Sequence, residues 1–534
     1  MRFRLLAFAL SILLGFHCGV SGQTDAESRQ QESRPNLLFL VVDDLNMALG
    51  CYGDSLAHTP NLDRLASKSM VFDQAYAQFA MCNPSRSSFM TGRYPDETTV
   101  IDNSGLLRER LPDMRTFPQV LREEGYNSVR IGKIFHYSVP KHIGGPGLDH
   151  FDSWDAANNP EGLDKALQDA TRKRLFGASG TGVSWMEVEW PDDRLTDGLV
   201  IQDAISALHS LDPDSTGKPF LLAVGLFRPH TPWMVNKQYF ELHKETVFPW
   251  PELDSAAWES KPLPAYGRQF EGCAMEDNEY QDLKRAYYAA VSSMDAHVGR
   301  LLDSLEQMNL ASNTVIVFVS DHGFHLGEQG LWGKPTLYDE SLQVPLMIYD
   351  PRGTVGAGRS EALIELIDLF PTMIELTGSD APESSGRSLL PLFGDSLYWH
   401  RPWAFSQVIA QPFKGNQVLG KNIRSYGYSL RDHQYRYIRW GGDDGEELYS
   451  LKEDPGMQRN LVSDTAYAAT LNQYRVELRF FLESQPGLFA ANLDLEYGEP
   501  MEEMLRNYGA IIRKEKEVPR GILAPVINQS GQNH

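Results

Sequence analysis

Four short segments, residues 36–42, 219–225, 314–320 and 344–349, are apolar almost without interruption. A strand with one wet face alternates apolar and polar side chains. An unbroken run of this length therefore fits a strand covered on both faces, as in a parallel sheet. Residues 127–131 read as another strand. Between the runs lie stretches with helical spacing, at 61–69, 117–124, 197–211, about 278–307 and about 362–376, the last closed by Gly378. Alternation of this kind over 35–395 predicts an α/β fold, a large and mostly parallel sheet flanked by helices.

From about residue 396 the texture changes. Residues 426–430, 435–440 and 447–451 are short, aromatic-rich and separated by Asp, Gly or His, which predicts an antiparallel meander. Pro455-Gly456 breaks the chain, and a helix is expected over about 464–483. The span 396–534 thus reads as a smaller C-terminal α+β subdomain; the last forty residues receive no role. At the other end, Arg2 and Arg4 precede twelve apolar residues and then Gly19-Val20-Ser21-Gly22. This predicts an export signal over 1–22, too short to span a bilayer, and a disordered linker over 23–34. The expected product is exported, periplasmic or secreted, without stable membrane insertion.

The chain carries a formal net charge of -22. Such a balance excludes nucleic acid and anionic membrane surfaces as general partners, and any anionic ligand needs a local concentration of cations. Of the four cysteines, Cys51, Cys82 and Cys273 lie beyond the signal, which is no disulfide framework. Cys51 and Cys273 are expected as buried thiols.

Two residue pairs, with three carboxylates between them, carry chemistry. Asp43-Asp44 closes the first apolar run, and Asp321-His322 follows the run 314–320. In open α/β sheets ligands bind beyond the carboxyl ends of the strands, so both pairs should emerge on one edge and offer carboxylates to Ca²⁺ or Mg²⁺. Cys82 stands ahead of a helix expected to begin near Ser85, where free N–H groups and the dipole favour an anion. From these residues alone a thiolate nucleophile remains open.

Residues 82–93 read Cys-Asn-Pro-Ser-Arg-Ser-Ser-Phe-Met-Thr-Gly-Arg. This matches C-x-P-S-R-x-x-x-x-T-G-R at its seven fixed positions and resembles the signature of the type I sulfatases, within the alkaline phosphatase superfamily. The resemblance implies that Cys82 is oxidised by a formylglycine-generating maturation enzyme, and that the aldehyde hydrate attacks a sulfate ester. It implies one Ca²⁺ (Mg²⁺ as the alternative) held by Asp43, Asp44, residue 82 and Asp321. His322 would either ligate through nitrogen or lean on the oxyanion. Arg86 would contact the hydrate and sulfate, and Arg93 would pair structurally.

Gly132-Lys133-Ile134-Phe135-His136 resembles the family segment whose lysine and histidine contact nucleophile and sulfate. Pro229-His230-Thr231-Pro232 resembles the segment supplying the leaving-group histidine, and Gly333-Lys334 the second sulfate-binding lysine. His58, His142, His150 and His325 have no such support and are expected to be structural. The likeness runs from Asn36 to about Leu461. It is nearest to the iduronate-2-sulfatase-like branch, through Cys51-Tyr52-Gly53, Asp102-Asn103, Arg228-Pro229-His230 and Asp321-His322-Gly323. It implies a sulfated oligo- or polysaccharide substrate. Two other readings stay open: a phosphodiester or phosphonate monoester hydrolase on the same scaffold, and a non-catalytic binder of sulfated polysaccharide.

Overall fold

A computed structural model describes residues 34–167, 183–254, 261–266, 276–394, 400–410, 413–414, 417–418, 425–441 and 445–484. The expected signal, the linker up to residue 33, Cys273 and everything beyond 484 lie outside them. The main sheet has eight strands. In chain order they are β1 (Asn36–Asp43), β2 (Met70–Tyr76), β3 (Asn127–Gly132), β4 (Ala156–Asn158), β5 (Phe220–Pro229), β6 (Thr314–Ser320), β7 (Gln343–Tyr349) and β8 (Gly358–Glu365). Across the sheet they run β8-β2-β7-β6-β1-β5-β3-β4.

β1 lies between β5 and β6 and is parallel to both, with Leu38 opposite Leu222 and Ile316. All eight of its residues are buried, which is why its sequence lacks polar alternation. Alternate side chains point to opposite faces. Leu38 and Leu40 pack under α4 (Thr196–Leu211) and α5 (Asp277–Gln307), against Val200, Leu208, Val291 and Met294. Leu37, Phe39 and Val41 face α2 (Cys82–Thr91), α3 (Phe117–Glu123) and α6 (Leu369–Glu375), against Phe89, Phe117 and Met373. Each such side chain contributes about 2 kcal/mol on burial, so both faces hold the strand in place. Helix α1 (Pro60–Ala66) joins the first layer through Leu62 and Leu65.

Two expectations need correction. The sheet is mostly parallel, as expected, but the apolar run at 344–349, read as a parallel strand, is β7 and runs antiparallel to β6 and to β2. Residues 362–365, expected to open a helix, belong to β8, which pairs parallel with β2; the helix begins only at Leu369, after a tight turn at Leu366–Asp368. A short apolar run does not distinguish strand from helix by spacing, and the backbone groups of β2 decided it. β2 itself escaped notice because Asp73-Gln74 interrupt its apolar pattern.

The meander is present as β9 (Ala404–Ala410), β10 (Ser425–Arg431), β11 (Tyr435–Trp440) and β12 (Glu446–Ser450), antiparallel in that order. α7 (Ala468–Ser484) supplies Leu471, Tyr474 and Leu478 to its core. Buried Arg401 ties the two sheets together by pairing with both Asp368 and Glu365. No helix among the described residues is long and apolar enough to cross a membrane.

Candidate active site

β1, β3, β5 and β6 are mutually parallel, so Asp43, Lys133, His230 and Asp321 emerge from the same edge of the sheet. The close approach of β3 and β5 forbids side chains at one point. A Cβ on Gly132 would fall 2.1 Å from Gly225 O, and one on Gly225 would fall 2.0 Å from Lys133 O. With Lys133 N bonded to Gly225 O at 2.8 Å, the chain turns there and Lys133 is buried beside Asp43, with which its ammonium pairs.

α2 starts at Cys82 itself rather than near Ser85. Pro84 is tolerated in a first turn, where its missing N–H would have no intrahelical partner. Every residue of this helix is buried. Asn83 Nδ2 donates to Asp102 O and Gly105 O at 2.9 and 2.8 Å, and Ser85 Oγ donates to Asp321 O at 2.5 Å. These bonds pin the start of α2 over the strand ends. Arg93 pairs with Glu97 and bonds Glu383 O, the structural role expected of it.

Cys82 Sγ is the centre of the cluster. It lies 3.1 Å from Lys334 Nζ, 3.4 Å from Asp43 Oδ1 and 3.4 Å from His322 Nε2. Burial would raise its thiol pKa, but Lys334, Lys133 and His322 outweigh that and hold it well below the ordinary value. Arg86 Nε donates to Asp321 Oδ2 at 2.8 Å, and its Nη1 donates to Lys133 O and Ile134 O. Its Nη2 is buried without a partner, 3.7 Å from Asp43 Oδ1. An orphaned guanidinium N–H at that place fits an incoming oxyanion.

Ligand atoms of Asp43, Asp44, Cys82 and His322 lie within 4.8 Å of one another. Asp321 stands beside this group, with Oδ2 3.7 Å from His322 Nε2, and is engaged by Arg86. His322 Nδ1 donates to Gly323 O at 2.9 Å, which leaves Nε2 for the cluster. Burial lowers the pKa of this ring, but Asp321 outweighs burial and holds it up to about 9; a divalent cation at Nε2 would replace that proton. Two aspartates with a third carboxylate beside them fit a hard divalent cation, whereas the imidazole is a softer nitrogen donor.

Asp44 adopts a left-handed φ of 65°, and Tyr287 Oη holds that turn by donating to Asp44 O at 2.9 Å while accepting from Asn46 N. Tyr287 was not foreseen, since a tyrosine in the apolar stripe of α5 reads as core.

His136 is buried, with Nε2 3.2 Å from Ser138 Oγ and Nδ1 lacking a partner. Burial lowers its pKa to about 4 against the opposing pull of Cys82, so it is a neutral base. His230 and Lys334 retain 18% and 17% side-chain exposure and so form the rim of an otherwise buried site. Lys334 Nζ also pairs with Asp44. His325 bonds Thr336 Oγ1, and His150 Nδ1 pairs with Ser153 Oγ, both structural as expected. Cys51 is a free thiol but only half-buried, not enclosed as expected.

The chain that carries this cluster has known relatives. Residues 35–379 match the family Sulfatase, and residues 327–483 match N-sulphoglucosamine sulphohydrolase, C-terminal. The chain belongs to the sulfatase family. This sulfatase is 30% identical to iduronate 2-sulfatase of Mus musculus, over 88% of this chain and 98% of that protein. A solved complex with the substrate D-glucosamine-2-N,6-O-disulfate superposes with a TM-score of 0.65 at 24% identity, covering 85% of this chain and 99% of the other. The phosphonate monoester hydrolase of Agrobacterium radiobacter gives a TM-score of 0.67 at 22% identity, covering 83% and 95%. At those identities the two structures share the fold. The sulfatase is a sulfuric ester hydrolase by family.

Proposed function

We propose that this sulfatase removes sulfate from a sulfated carbohydrate with residue 82 converted to formylglycine. A divalent cation, Ca²⁺ by family resemblance with Mg²⁺ as the alternative, would be held by Asp43, Asp44, residue 82, Asp321 and His322. One observation carries the reading: the side chain of residue 82 meets a lysine, a carboxylate and an imidazole within 3.4 Å at the buried start of a helix. The cation, when bound, supplies positive charge that favours an ionised hydroxyl.

The chain's own residues do the rest. Lys133, Lys334 and Arg86 neutralise the sulfate oxygens. His230 passes a proton to the sugar oxygen as its bond to sulfur breaks. His136, neutral, takes a proton from the second hydroxyl of the hydrate, which expels sulfate and regenerates the aldehyde. A serine at 82 has one hydroxyl, so it accepts sulfate without a means of expelling it. Because Cys82 is fully buried, the maturation enzyme acts before α2 packs. Residues 35–395 form the catalytic part and those beyond it the C-terminal subdomain, and the N-terminal signal directs export.

Two measurements test this. The tryptic peptide 69–86 should carry an aldehyde, –CHO, in place of the –CH2SH of residue 82, with one sulfur and two hydrogens lost for one oxygen gained. The purified protein should release sulfate from members of a panel of defined sulfated oligosaccharides. An intact thiol, or faster cleavage of aryl phosphates than of aryl sulfates, refutes the proposal.

A further inference from the structure

Three successive carbonyls around His230 are each taken by a side-chain N–H. Trp233 Nε1 donates to Pro229 O at 2.6 Å, Arg228 Nη1 to His230 O at 3.0 Å, and His230 Nδ1 to Thr231 O at 2.5 Å. The last bond settles the ring's orientation and leaves Nε2 facing the site, 4.0 Å from Asp44 Oδ2.

Arg228 is the hub of this loop. Its Nε donates to Met234 O at 3.3 Å, so one guanidinium spans the turn on both sides of the two prolines at 229 and 232. The two oxygens of Asp197 receive Phe227 N and Arg228 N at 2.8 Å each. The buried charge of Arg228 is met by Asp164, with Nη2 3.2 Å from Oδ2. The other oxygen of Asp164 receives Thr196 N and Oγ1 at 2.8 and 2.7 Å, at the first residue of α4. Asp164 thus joins the His230 loop to the frame of the main sheet, although it lies in no motif of the sequence.

We propose that Asp164, acting through Arg228, is a positioning residue that holds His230 Nε2 against the oxygen of the departing alcohol. This rests on the reading of His230 as the proton donor. Without Asp164 the guanidinium loses the carboxylate that pairs with its Nη2 and keeps the charge of Asp197 nearby, so its fork is no longer held toward His230 O and Met234 O. Misplacement of this kind affects the step that needs the proton rather than the binding of sulfate. Protonation matters most when the leaving oxygen is basic and least when it departs readily as an anion.

The test is a series of phenyl sulfates of graded leaving-group acidity, from 4-nitrophenyl to unsubstituted phenyl, turned over by the full-length protein with residue 82 converted. In Asp164→Asn the loss of kcat should grow along the series, about tenfold or more greater for phenyl than for 4-nitrophenyl sulfate. KM should move little, and Asp164→Glu should recover part of the loss. Arg228→Lys keeps the buried charge but cannot reach both carbonyls, and it carries the same test if Asp164→Asn does not fold. A loss uniform across the series, or no loss, in a folded variant overturns the positioning role. If converted wild-type protein releases no sulfate from any member, the failure belongs to the proposed function, and the role of His230 falls with it.

Discussion

Lys334 Nζ lies 3.1 Å from Cys82 Sγ across 252 residues of sequence. The lysine arrives on a loop after β6, and the cysteine on the first turn of a helix packed under the opposite half of the chain. Their meeting places a largely buried ammonium over the one side chain that the proposed chemistry modifies.

Cys82→Ser is expected to abolish steady-state sulfate release while changing the unfolding free energy by less than about 1.5 kcal/mol, because the buried volume hardly changes. Sulfate assays beside urea titrations measure both. Normal turnover by this variant would rule out the two-hydroxyl mechanism.

Chelation is expected to remove activity and lower the melting temperature, since an ion at the proposed site would bind only the folded arrangement of Asp43, Asp44, residue 82 and His322. A hundredfold excess of ion over its dissociation constant stabilises by about 2.7 kcal/mol. Calorimetry with EGTA and then with added Ca²⁺ or Mg²⁺ reads the shift and identifies the ion; indifference to both ions speaks against the site.

Arg86→Ala should destabilise by roughly 3–5 kcal/mol, because it strands the buried carboxylate of Asp321 and leaves two carbonyls without donors. Arg86→Lys keeps the charge but not the fork, so it should recover only part of the stability and little of the activity. Urea midpoints for the two variants give the answer.

A pH effect is expected at Glu340. Its Oε2 is buried without a hydrogen-bond partner, and burial, helped by Glu328, pushes the pKa from 4.5 up to about 8. The folded state therefore holds a proton that the unfolded state has released between these values. Stability from this group is present below about 4.5 and is lost as the pH climbs toward 8. Glu340→Gln removes the dependence and should gain about 1 kcal/mol or more on wild type between pH 5 and pH 8. Equal slopes of midpoint against pH for the two proteins would contradict it.

Much of the scaffold was legible because β1, β5 and β6 are buried on both faces and their sequences say so. The helix at 362 was misread because its few apolar residues satisfy two periods at once. Hydrogen bonding to β2, a strand broken up by Asp73-Gln74, settles the matter only in three dimensions. Cys82, Arg86 and the pairs Asp43-Asp44 and Asp321-His322 stand out as motif residues at strand or helix ends. Tyr287 and Asp164 do not, since each acts through hydrogen bonds to residues distant in sequence and leaves no local pattern.

Sequence alone determined most of the elements, with β2 and the start of β8 as exceptions, and which side chains could bear the chemistry, because periodicity and end-of-strand position are local properties of the chain. Tertiary structure decided that residues near 43, 82, 133, 230, 321 and 334 share one buried site. It also decided which nitrogen of each histidine faces inward and which cations outweigh the cost of burying the carboxylates. Those outcomes depend on hydrogen bonds and charges brought together by parallel pairing over hundreds of residues, and no window of sequence contains them.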